Sequence, residues 1–478
     1  MRKGPSMSER RAVVIGASIA GLLAARVLAD SFDRVVLVER DDSPGTGWRR
    51  GAPQSRHLHG LMERGRQIME ELYPGLTGQL AAAGAPTTEV LRESRWYLSG
   101  LRVHPASTGL TTLLASRPML EGAIRERTVR LPGVHLLTGR TATGLVTAEH
   151  EAPAGAPGGG RPGRITGVRL ALPTAAQGRT GPIDPDSGGD DVLRADLVVD
   201  ATGRASRAPD WLVALGHERP ADERIDVDLG YASRTYRRRP GHLDGDLAVV
   251  VSTMPGWRGG GAITLEGDRW HITLAGMLGD HPPTDHAGFE AFAATLPVSD
   301  VHDIVRDAEP LDDPVPHRFR GSLRRRYDRV AAPPAGFLVL GDAVSSFNPL
   351  YAQGMTVAAQ QALVLRDRLR ADSADGLDPA RFHRDVAAVV DIAWQMSTGS
   401  DLRYPGVVGP RTPRSRLVSA YSARAQVAAH RDPAVARTFM RVANLTLPPT
   451  ALLAPPTLLR VLRSGAHPAP TRGDRSDV

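Results

Sequence analysis

Apolar runs separated by glycine turns mark the beginning of the chain. Residues 12–16 and 34–39 have the continuous apolar pattern of buried strands, and residues 19–30 between them have the pattern of a helix. This order predicts a βαβ unit with parallel strands. Buried-strand patterns return at residues 193–203 and 336–341. The first domain is therefore expected to be discontinuous in sequence.

Residues 226–317 have a different pattern, in which short strands dominate. Strands are predicted at 228–236, 247–253, 261–266 and 269–277, and one helix is predicted at 286–296. Apolar and polar residues alternate along these strands, which favours an inserted antiparallel sheet. Such a sheet could cover an apolar cavity, but any half-buried sheet would have the same pattern.

Helical patterns account for most of the remaining chain. Helices are predicted at 59–74, 117–131 and 353–371, and residues 376–478 are mostly helical. Residues 151–190 are rich in glycine and proline and are expected to form the loops of a β-hairpin with a strand at 164–172.

The patterns predict an α/β fold with a Rossmann-like nucleotide-binding domain, an inserted antiparallel β-sheet domain and a C-terminal helical region. A chain of 478 residues is too long for one ordinary core. The expected boundaries are 8–90, 110–225 and 330–375 for the nucleotide-binding domain, 91–109 and 226–329 for the substrate-binding sheet domain, and 376–478 for the helical region.

Composition excludes several classes of chemistry. The chain has no cysteine, which excludes disulfides, thiolate chemistry and zinc–thiolate sites. No histidine and carboxylate set has ligand-like spacing, so no metal is expected. The formal net charge is +7, but the arginines are scattered along the sequence, so nucleic-acid binding is not expected. Such a field would suit an anionic cofactor.

Arg10-Arg11 followed by the apolar residues 12–29 superficially resembles a twin-arginine signal. The glycine spacing inside that stretch is better explained by mature structure. No other stretch approaches the ~20 apolar residues that span a bilayer. We expect a cytoplasmic protein without a transmembrane segment, and its oligomeric state stays open.

The first glycine turn has the spacing of a dinucleotide site. Gly16 and Gly21 supply the tight turn and the close helix–strand contact, and Ser18 replaces the middle glycine of the usual pattern. A pyrophosphate would bind the amides that open the following helix. Glu39 closes the second strand, where an acid accepts ribose hydroxyls. A tight turn in an empty α/β fold is the alternative.

Two further strand ends carry polar turns. Gly341-Asp342 places a carboxylate where it can hold ribityl or ribose hydroxyls, and the loop after it carries Pro349 and Gly354 before a helix. Asp200-Ala201-Thr202-Gly203-Arg204 ends another strand, and a plain turn explains it equally well. Arg117, at the start of a helix, can pair with phosphate, although a surface ion pair is nearly as good an explanation.

Together these residues resemble the single-component FAD-dependent aromatic hydroxylase superfamily, over about residues 10–410. Within it, the chain resembles the flavin epoxidases of polyether and polyketide pathways. The stretches that carry this finer resemblance are Arg50-Gly51-Ala52-Pro53-Gln54 with Arg56-His57-Leu58-His59, Phe347-Asn348-Pro349-Leu350-Tyr351 with Gly354-Met355, and Tyr404-Pro405-Gly406 after a helix with Trp394.

The resemblance implies roles for individual residues. Arg117 would contact the phosphates or the ribityl chain, and Asp342 would bind the ribityl hydroxyls. The FAD adenosine diphosphate would be held by Gly16, Ser18, Gly21 and Glu39 with Arg40 beside it, and the flavin ring would be lined by Pro349, Gly354 and Met355. The superfamily usually has Asp-Gly where this chain has Thr202-Gly203, which puts a role of that pair in NADPH handling in doubt.

The implied reaction uses NAD(P)H and O₂ to transfer one oxygen atom, through a flavin C4a-hydroperoxide, to a hydrophobic natural-product intermediate such as a polyene. Alkene epoxidation is favoured, because it needs no general base. The alternatives are phenol hydroxylation and an FAD-dependent prenyl or alkene reductase of similar fold. Flavin halogenases are set aside, because their Trp-x-Trp-x-Ile-Pro sequence is absent.

No catalytic base is evident in the sequence. His57 and His59 are two residues apart and are expected to be loop residues near the flavin, where a structural hydrogen-bonding role is favoured. His271 lies on a predicted strand and could face either the core or a cavity. The catalytic residues, the NADPH site and the role of residues 410–478 are therefore left open.

Overall fold

The computed structural model describes residues 9–42, 53–148, 163–171, 191–372 and 376–464. Arg50, Gly51 and Ala52, part of the epoxidase-like stretch, and most of the predicted hairpin loops lie outside these residues. Across the described ranges, every helix is too short or too polar to cross a bilayer.

The strands are β1 (Arg11–Ile15), β2 (Arg34–Val38), β3 (Thr87–Glu89), β4 (Ser94–Leu98), β5 (Leu101–Arg102), β6 (Thr111–Leu113), β7 (Val134–Leu137), β8 (Ala142–Thr147), β9 (Ile165–Leu170), β10 (Val192–Arg194), β11 (Leu197–Asp200), β12 (Asp222–Arg237), β13 (Ala248–Val251), β14 (Arg258–Leu265), β15 (Arg269–Gly276), β16 (Val315–Arg325), β17 (Phe337–Val339) and β18 (Ser345–Ser346). The α-helices are α1 (Ile19–Leu28), α2 (Glu63–Leu72), α3 (Leu76–Ala82), α4 (Arg117–Val129), α5 (Ala208–Ala214), α6 (His286–Ala294), α7 (Asp300–Asp307), α8 (Gly354–Asp372), α9 (Pro379–Asp401), α10 (Pro413–Ala429), α11 (Pro433–Ala443) and α12 (Pro455–Arg463).

A parallel five-stranded sheet with the order β17-β11-β1-β2-β7 confirms the predicted α/β fold. Its strands are almost wholly buried, with α1 and α8 in the same core, as expected for a parallel sheet covered on both faces. Ile15 pairs with Asp200, and Asp200 pairs with Val339. The turns that follow β1, β11 and β17 therefore leave the sheet side by side.

An eight-stranded sheet with the order β18-β16-β12-β15-β14-β13-β4-β5 forms a second layer. It is antiparallel except where β13 pairs with β4 in parallel. Helices α6 and α7 cover one face, where Trp270, Tyr236 and Phe289 are fully buried. The short strand β18 joins this sheet although it follows β17 of the other one, so the chain passes between the two sheets immediately after Asp342.

Several elements differ from the sequence-based predictions. The long strand β16 was not predicted, because its sequence VPHRFRGSLRR combines proline, glycine and arginine with few β-formers. Helix α7 was also missed. The predicted strand at 193–203 is two strands: β10 pairs with β9 in a small antiparallel sheet, whereas β11 enters the parallel sheet. The predicted helix at 59–74 is shorter and spans Glu63–Leu72.

The C-terminal part is helical, as predicted. Helices α10, α11 and α12 pack around a separate apolar cluster with Val90, Val103 and Leu110 from the region of the short strands β3 to β6. The backbone N–H of His104 donates to the carbonyl of Ala429 over 2.9 Å, which ties the two regions together.

Candidate cofactor and substrate site

The turn between β1 and α1 admits only glycine at two positions. Gly16 has a φ of +99°, and a Cβ there would lie 2.7 Å from the carbonyl oxygen of Ala201. A Cβ on Gly21 would lie 1.8 Å from the carbonyl oxygen of Gly16. The turn is therefore pressed against both the first turn of α1 and the end of β11, as a dinucleotide turn requires.

Ser18 precedes α1 but its side chain does not cap the helix. Its hydroxyl instead donates to the carboxylate of Glu121 over 2.7 Å and accepts from Nη2 of Arg117 over 3.1 Å. The first N–H groups of a helix lack partners within the helix and attract anions. With Ser18 turned aside, these groups of α1 suit a phosphate.

Arg117 is fixed at this turn by its own helix. Its Nε donates to the carboxylate of Glu121 over 3.1 Å, and Glu121 also accepts a hydrogen bond from Nη2 of Arg125 over 2.7 Å. Ser116 caps α4 by accepting from the N–H of Met119. Arg117 therefore lies beside the glycine turn, held there by an ion pair with Glu121, and its contact with phosphate stays a prediction.

Glu39 and Arg40 follow β2 at the same edge. The carboxylate of Glu39 is buried, and its oxygens accept from the backbone N–H groups of Ala17 over 3.0 Å and Asp41 over 3.1 Å. It thus braces the glycine turn in addition to any role towards a ribose. Arg40 is exposed.

Asp342 lies where the three turns meet. A Cβ on Gly203 would be 4.0 Å from Cβ of Asp342, and a Cβ on Gly354 would be 3.8 Å from its Oδ1. A Cβ on the preceding Gly341 would be 2.7 Å from Cβ of Ala20 in α1. Burial raises the pKa of Asp342, and nearby Arg117 and Arg204 oppose that rise.

These residues fit FAD on two observations. Within the described ranges, the half-buried carboxylate of Asp342 receives no hydrogen bond, so it is open to donors such as ribityl hydroxyls. The adjoining glycines form a cradle in which an added Cβ would occupy the space of a close ligand. The anion-binding end of α1 and Arg117 lie on the same side.

Asp200, at the end of β11, forms the hydrogen bonds that fix the turn after that strand. Asp200 is fully buried and accepts from the hydroxyls of Thr202 over 2.6 Å and Ser206 over 2.5 Å. Thr202, which stands where the superfamily usually has aspartate, is therefore committed to this turn. Arg204 lies over the ring of Phe319 at 5.0 Å.

The loop between Asp342 and α8 is anchored by a residue that the sequence did not reveal. Nδ2 of Asn348 and the hydroxyl of Tyr351 both donate to Oδ1 of Asp401, each over 2.8 Å. Asp401 ends α9 and is fully buried, and burial raises its pKa to about 6. No motif marks this aspartate, because only the fold brings it to the loop. Of the predicted ring-lining residues, Pro349 is exposed, Gly354 opens α8 and Met355 is buried.

A small histidine-lined cavity of about 10 Å³, room for about one water molecule, adjoins Arg117. His57, His59 and His271 line it, with Ser55 and Ile263 among their neighbours. Burial lowers the pKa of His57 and of His59 to about 3 and that of His271 to about 4. All three rings are therefore neutral at physiological pH and are weak bases.

Hydrogen bonds fix the His57–His59 stretch against the larger sheet. Nδ1 of His57 lies 2.8 Å from Oγ of Ser233, which lies 2.6 Å from the hydroxyl of Thr273. Thr273 also accepts from the N–H of Leu58 over 3.1 Å. Nδ1 of His59 donates to the carbonyl of His57 over 2.8 Å. The structural hydrogen-bonding role expected of these histidines is thus present.

An apolar cluster borders the Asp342–α8 loop on the other side. Tyr231, Met277 and Phe319 of the larger sheet pack with Tyr404, and Leu350 of the loop packs against them. The hydroxyl of Tyr404 hydrogen-bonds with Thr253 over 2.5 Å. The cluster is a packed apolar core between the sheet and the loop.

The comparisons with known proteins agree with this geometry. The chain is 35% identical over 440 residues to Protein Rv3254 of Mycobacterium tuberculosis, a match that covers 90% of this chain and 88% of that protein. It is 27% identical over 411 residues to the kynurenine 3-monooxygenase of Salinispora tropica, covering 80% and 79%. The chain belongs to the same family as Rv3254, and its other relatives and structural neighbours support an FAD-dependent monooxygenase. No family model matches the chain.

Solved structures show the same fold for this monooxygenase. A triple mutant of the flavin-dependent brominase Bmp2 superposes with a TM-score of 0.64 at 13% identity, covering 95% of this chain and 99% of that one. PqsL of Pseudomonas aeruginosa, described as a probable FAD-dependent monooxygenase, has a TM-score of 0.58 at 17% identity, covering 91% and 99%. The cofactor is FAD, with NAD(P)H as its reductant.

Proposed function

We propose that this monooxygenase transfers one oxygen atom from O₂ to an alkene of a hydrophobic natural-product intermediate and forms an epoxide. The observation that carries the choice of reaction is the weak basicity of the cavity's histidines. His57, His59 and His271 have pKa values lowered to about 3, 3 and 4 by burial. Bases this weak are poor acceptors for the proton of a phenol, whereas an alkene has no proton to remove.

We assign the cofactor contacts as follows. The N–H groups that open α1 and the guanidinium of Arg117 would bind the phosphates, and Glu39 the ribose beside the turn of Gly16. Asp342 would accept hydrogen bonds from the ribityl hydroxyls.

Residues 8–90, 110–225 and 330–375 would form the FAD-binding domain, and 91–109 with 226–329 the substrate domain. Pro349, Gly354 and Met355 would lie against the ring, with Ser18, Gly21 and Arg40 near the phosphates and ribose.

The chain's own part in the reaction is positioning and exclusion of water. Bound FAD, once reduced by NAD(P)H, supplies the chemistry that activates dioxygen. The apolar cluster around Tyr231 and Phe319 would hold the alkene beside the Asp342–α8 loop and keep water out. The neutral histidines would add hydrogen bonds without adding charge.

Aromatic hydroxylation is the second candidate, since two relatives are named kynurenine 3-monooxygenase. An oxygen-isotope experiment separates the two. The FAD-loaded enzyme would be given NADPH and ¹⁸O₂ with geranyl acetate, 1-naphthol or kynurenine as probes. We expect one ¹⁸O in an epoxide of geranyl acetate and unchanged 1-naphthol. Labelled products from 1-naphthol or kynurenine alone would favour the hydroxylase, and reduction of the alkene without label would favour a reductase.

A further inference from the structure

The positive charge of the protein is concentrated in one stretch. Residues 411–464 contain nine arginines and a single acidic residue, Asp432, so their net charge is +8, against +7 for the whole chain. Asp432 is already paired with Arg460 over 2.9 Å. The rest of the chain therefore sums to a net charge of −1.

Three of these arginines are free to meet a ligand. Arg414 and Arg416 lie in the first turns of α10 and Arg463 ends α12, and all three are exposed. Within the described ranges their side chains have neither a hydrogen bond nor an ion pair. Other arginines of the region are used internally: Arg424, for example, donates to the carbonyls of Val461 and Leu462.

The same stretch exposes aliphatic side chains. Of the five most exposed large apolar side chains of the described residues, Leu417 (72%), Val418 (57%), Leu453 (54%) and Leu459 (52%) lie in it, and Val408 (77%) lies just before it. Leu462 is 49% exposed. The apolar stripe of α10 runs into the core at Ala425 and Ala428 but is uncovered at Leu417 and Val418. Apolar groups in this state mark a contact surface.

Helices α10 and α12 form one unit with this surface. The hydroxyl of Tyr421 donates to the carbonyl of Leu452 over 2.5 Å, and Nε of Arg424 donates to that of Val461 over 3.2 Å. We call the exposed set Arg414, Arg416, Leu417, Leu459, Leu462 and Arg463 the basic apolar surface. Cations and leucines interleaved on adjoining helices are typical of segments that lie in a membrane interface.

We propose that the basic apolar surface docks this protein on a bilayer that contains anionic lipids. Its unpaired arginines match lipid phosphates, and its leucines match the acyl boundary. A second copy of this chain would bring two surfaces of the same charge together, which opposes self-association. Nucleic acid would match the arginines but would leave the leucines exposed to water.

Vesicle co-sedimentation of the FAD-loaded full chain tests the proposal. The probes are vesicles of phosphatidylcholine alone and of equal parts phosphatidylcholine and phosphatidylglycerol. We expect binding to the anionic vesicles only, weakened by added salt. Each arginine near an anionic surface adds about a fivefold gain in partition. The triple change Arg414→Glu, Arg416→Glu and Arg463→Glu should therefore lower binding by at least about 100-fold.

Matched variants separate the surface from net charge and from misfolding. Arg92→Glu, Arg130→Glu and Arg219→Glu change charge equally at exposed positions outside the region and should leave most binding intact. Leu417→Ser, Leu459→Ser and Leu462→Ser should weaken binding without changing charge, whereas Leu101→Ser and Val213→Ser should not. Flavin absorbance and unfolding temperature confirm that each variant is folded.

Five results would overturn the proposal, four of which concern vesicles and self-association. These are no binding to anionic vesicles, equal binding to neutral ones, equal loss in the control variants, or a dimer seen by light scattering that the leucine variants abolish. Displacement from vesicles by single-stranded DNA that depends on the arginines but not on the leucines would also overturn it, in favour of nucleic acid.

Discussion

Nδ2 of Asn348 donates to Oδ1 of Asp401 over 2.8 Å, and this contact joins the loop after Asp342 to the end of α9, 53 residues later in the chain. Asn348 and Asp401 are both fully buried, and Oδ2 of Asp401 has no partner among the described residues. A buried carboxylate that is only half satisfied favours its protonated form. The position of the loop is therefore coupled to the protonation of one acid.

Asp401→Asn should change how stability depends on pH. Burial raises the pKa of Asp401 from 3.8 to about 6, so between these values the folded state binds more protons than the unfolded state. Stability then falls as pH rises from about 4 to about 6, by roughly 3 kcal/mol for this group. The variant lacks that loss, so its stability relative to the wild type should increase as pH rises. Urea unfolding at pH 4.5 and 7.5 measures the difference, with the exposed Asp30→Asn as control. A difference independent of pH would contradict the assignment.

Gly21→Ala should disrupt the first glycine turn. The new methyl group would lie 1.8 Å from the carbonyl oxygen of Gly16, so α1 must move away from β1 and the amides at its start lose their alignment. We expect a loss of about 3 kcal/mol or more in stability, as for severe overpacking, together with weaker FAD binding.

Gly78→Ala is the matched control for that change. Gly78 lies in α3 with nothing within 4 Å of an added Cβ, so alanine should be neutral or stabilising by up to about 1 kcal/mol. Thermal unfolding and flavin fluorescence titration of both variants provide the comparison. Equal behaviour of the two alanine variants would mean that the close contact at Gly21 does not matter.

His57 and His59 should be neutral and carry their protons on different nitrogens. Nδ1 of His59 must be protonated, because it lies 2.8 Å from the carbonyl oxygen of His57. The N–H of Leu58 donates to Thr273, so the Thr273 hydroxyl can donate to Ser233 and Ser233 to Nδ1 of His57. Each hydroxyl proton of this chain then has an acceptor, and His57 keeps its own proton on Nε2, which has no partner among the described residues.

Nitrogen-15 NMR of histidine-labelled protein at pH 6 reads these tautomers directly. We expect two neutral rings of opposite tautomer, with assignments from His57→Gln and His59→Gln. Ser233→Ala should alter the signals of His57 and leave those of His59 unchanged. A protonated ring at pH 6, or the same tautomer in both, would refute the neutral cavity and with it the argument for epoxidation.

The sequence predicted those parts of the site in which local geometry demands a particular residue. Gly16, Gly21 and Gly341 could be found because a tight turn or a close backbone approach excludes other side chains. Asp342 could be found because it ends a buried strand. Asp401 could not, because its role depends on a contact with Asn348 that only the tertiary fold creates. Strand β16 was missed for a related reason: pairing with β12 stabilises a sequence of low strand propensity.

The concentration of charge in residues 411–464 was also readable from the sequence. The arginines alone seem evenly spread over the chain. The concentration of charge is seen only when the acidic residues of each region are subtracted from them. The structure adds what composition cannot, namely that Arg414, Arg416 and Arg463 are exposed beside uncovered leucines.

Titration of the flavin-free protein with FAD, followed by flavin fluorescence, tests the central claim most directly. If Asp342 receives the ribityl hydroxyls, Asp342→Ala should weaken FAD binding by about 10- to 100-fold, the value of one or two hydrogen bonds to a charged acceptor. The exposed Asp367→Ala should bind like the wild type. An Asp342→Ala variant that binds FAD with unchanged affinity, or a wild-type protein that does not bind FAD at all, would contradict the account.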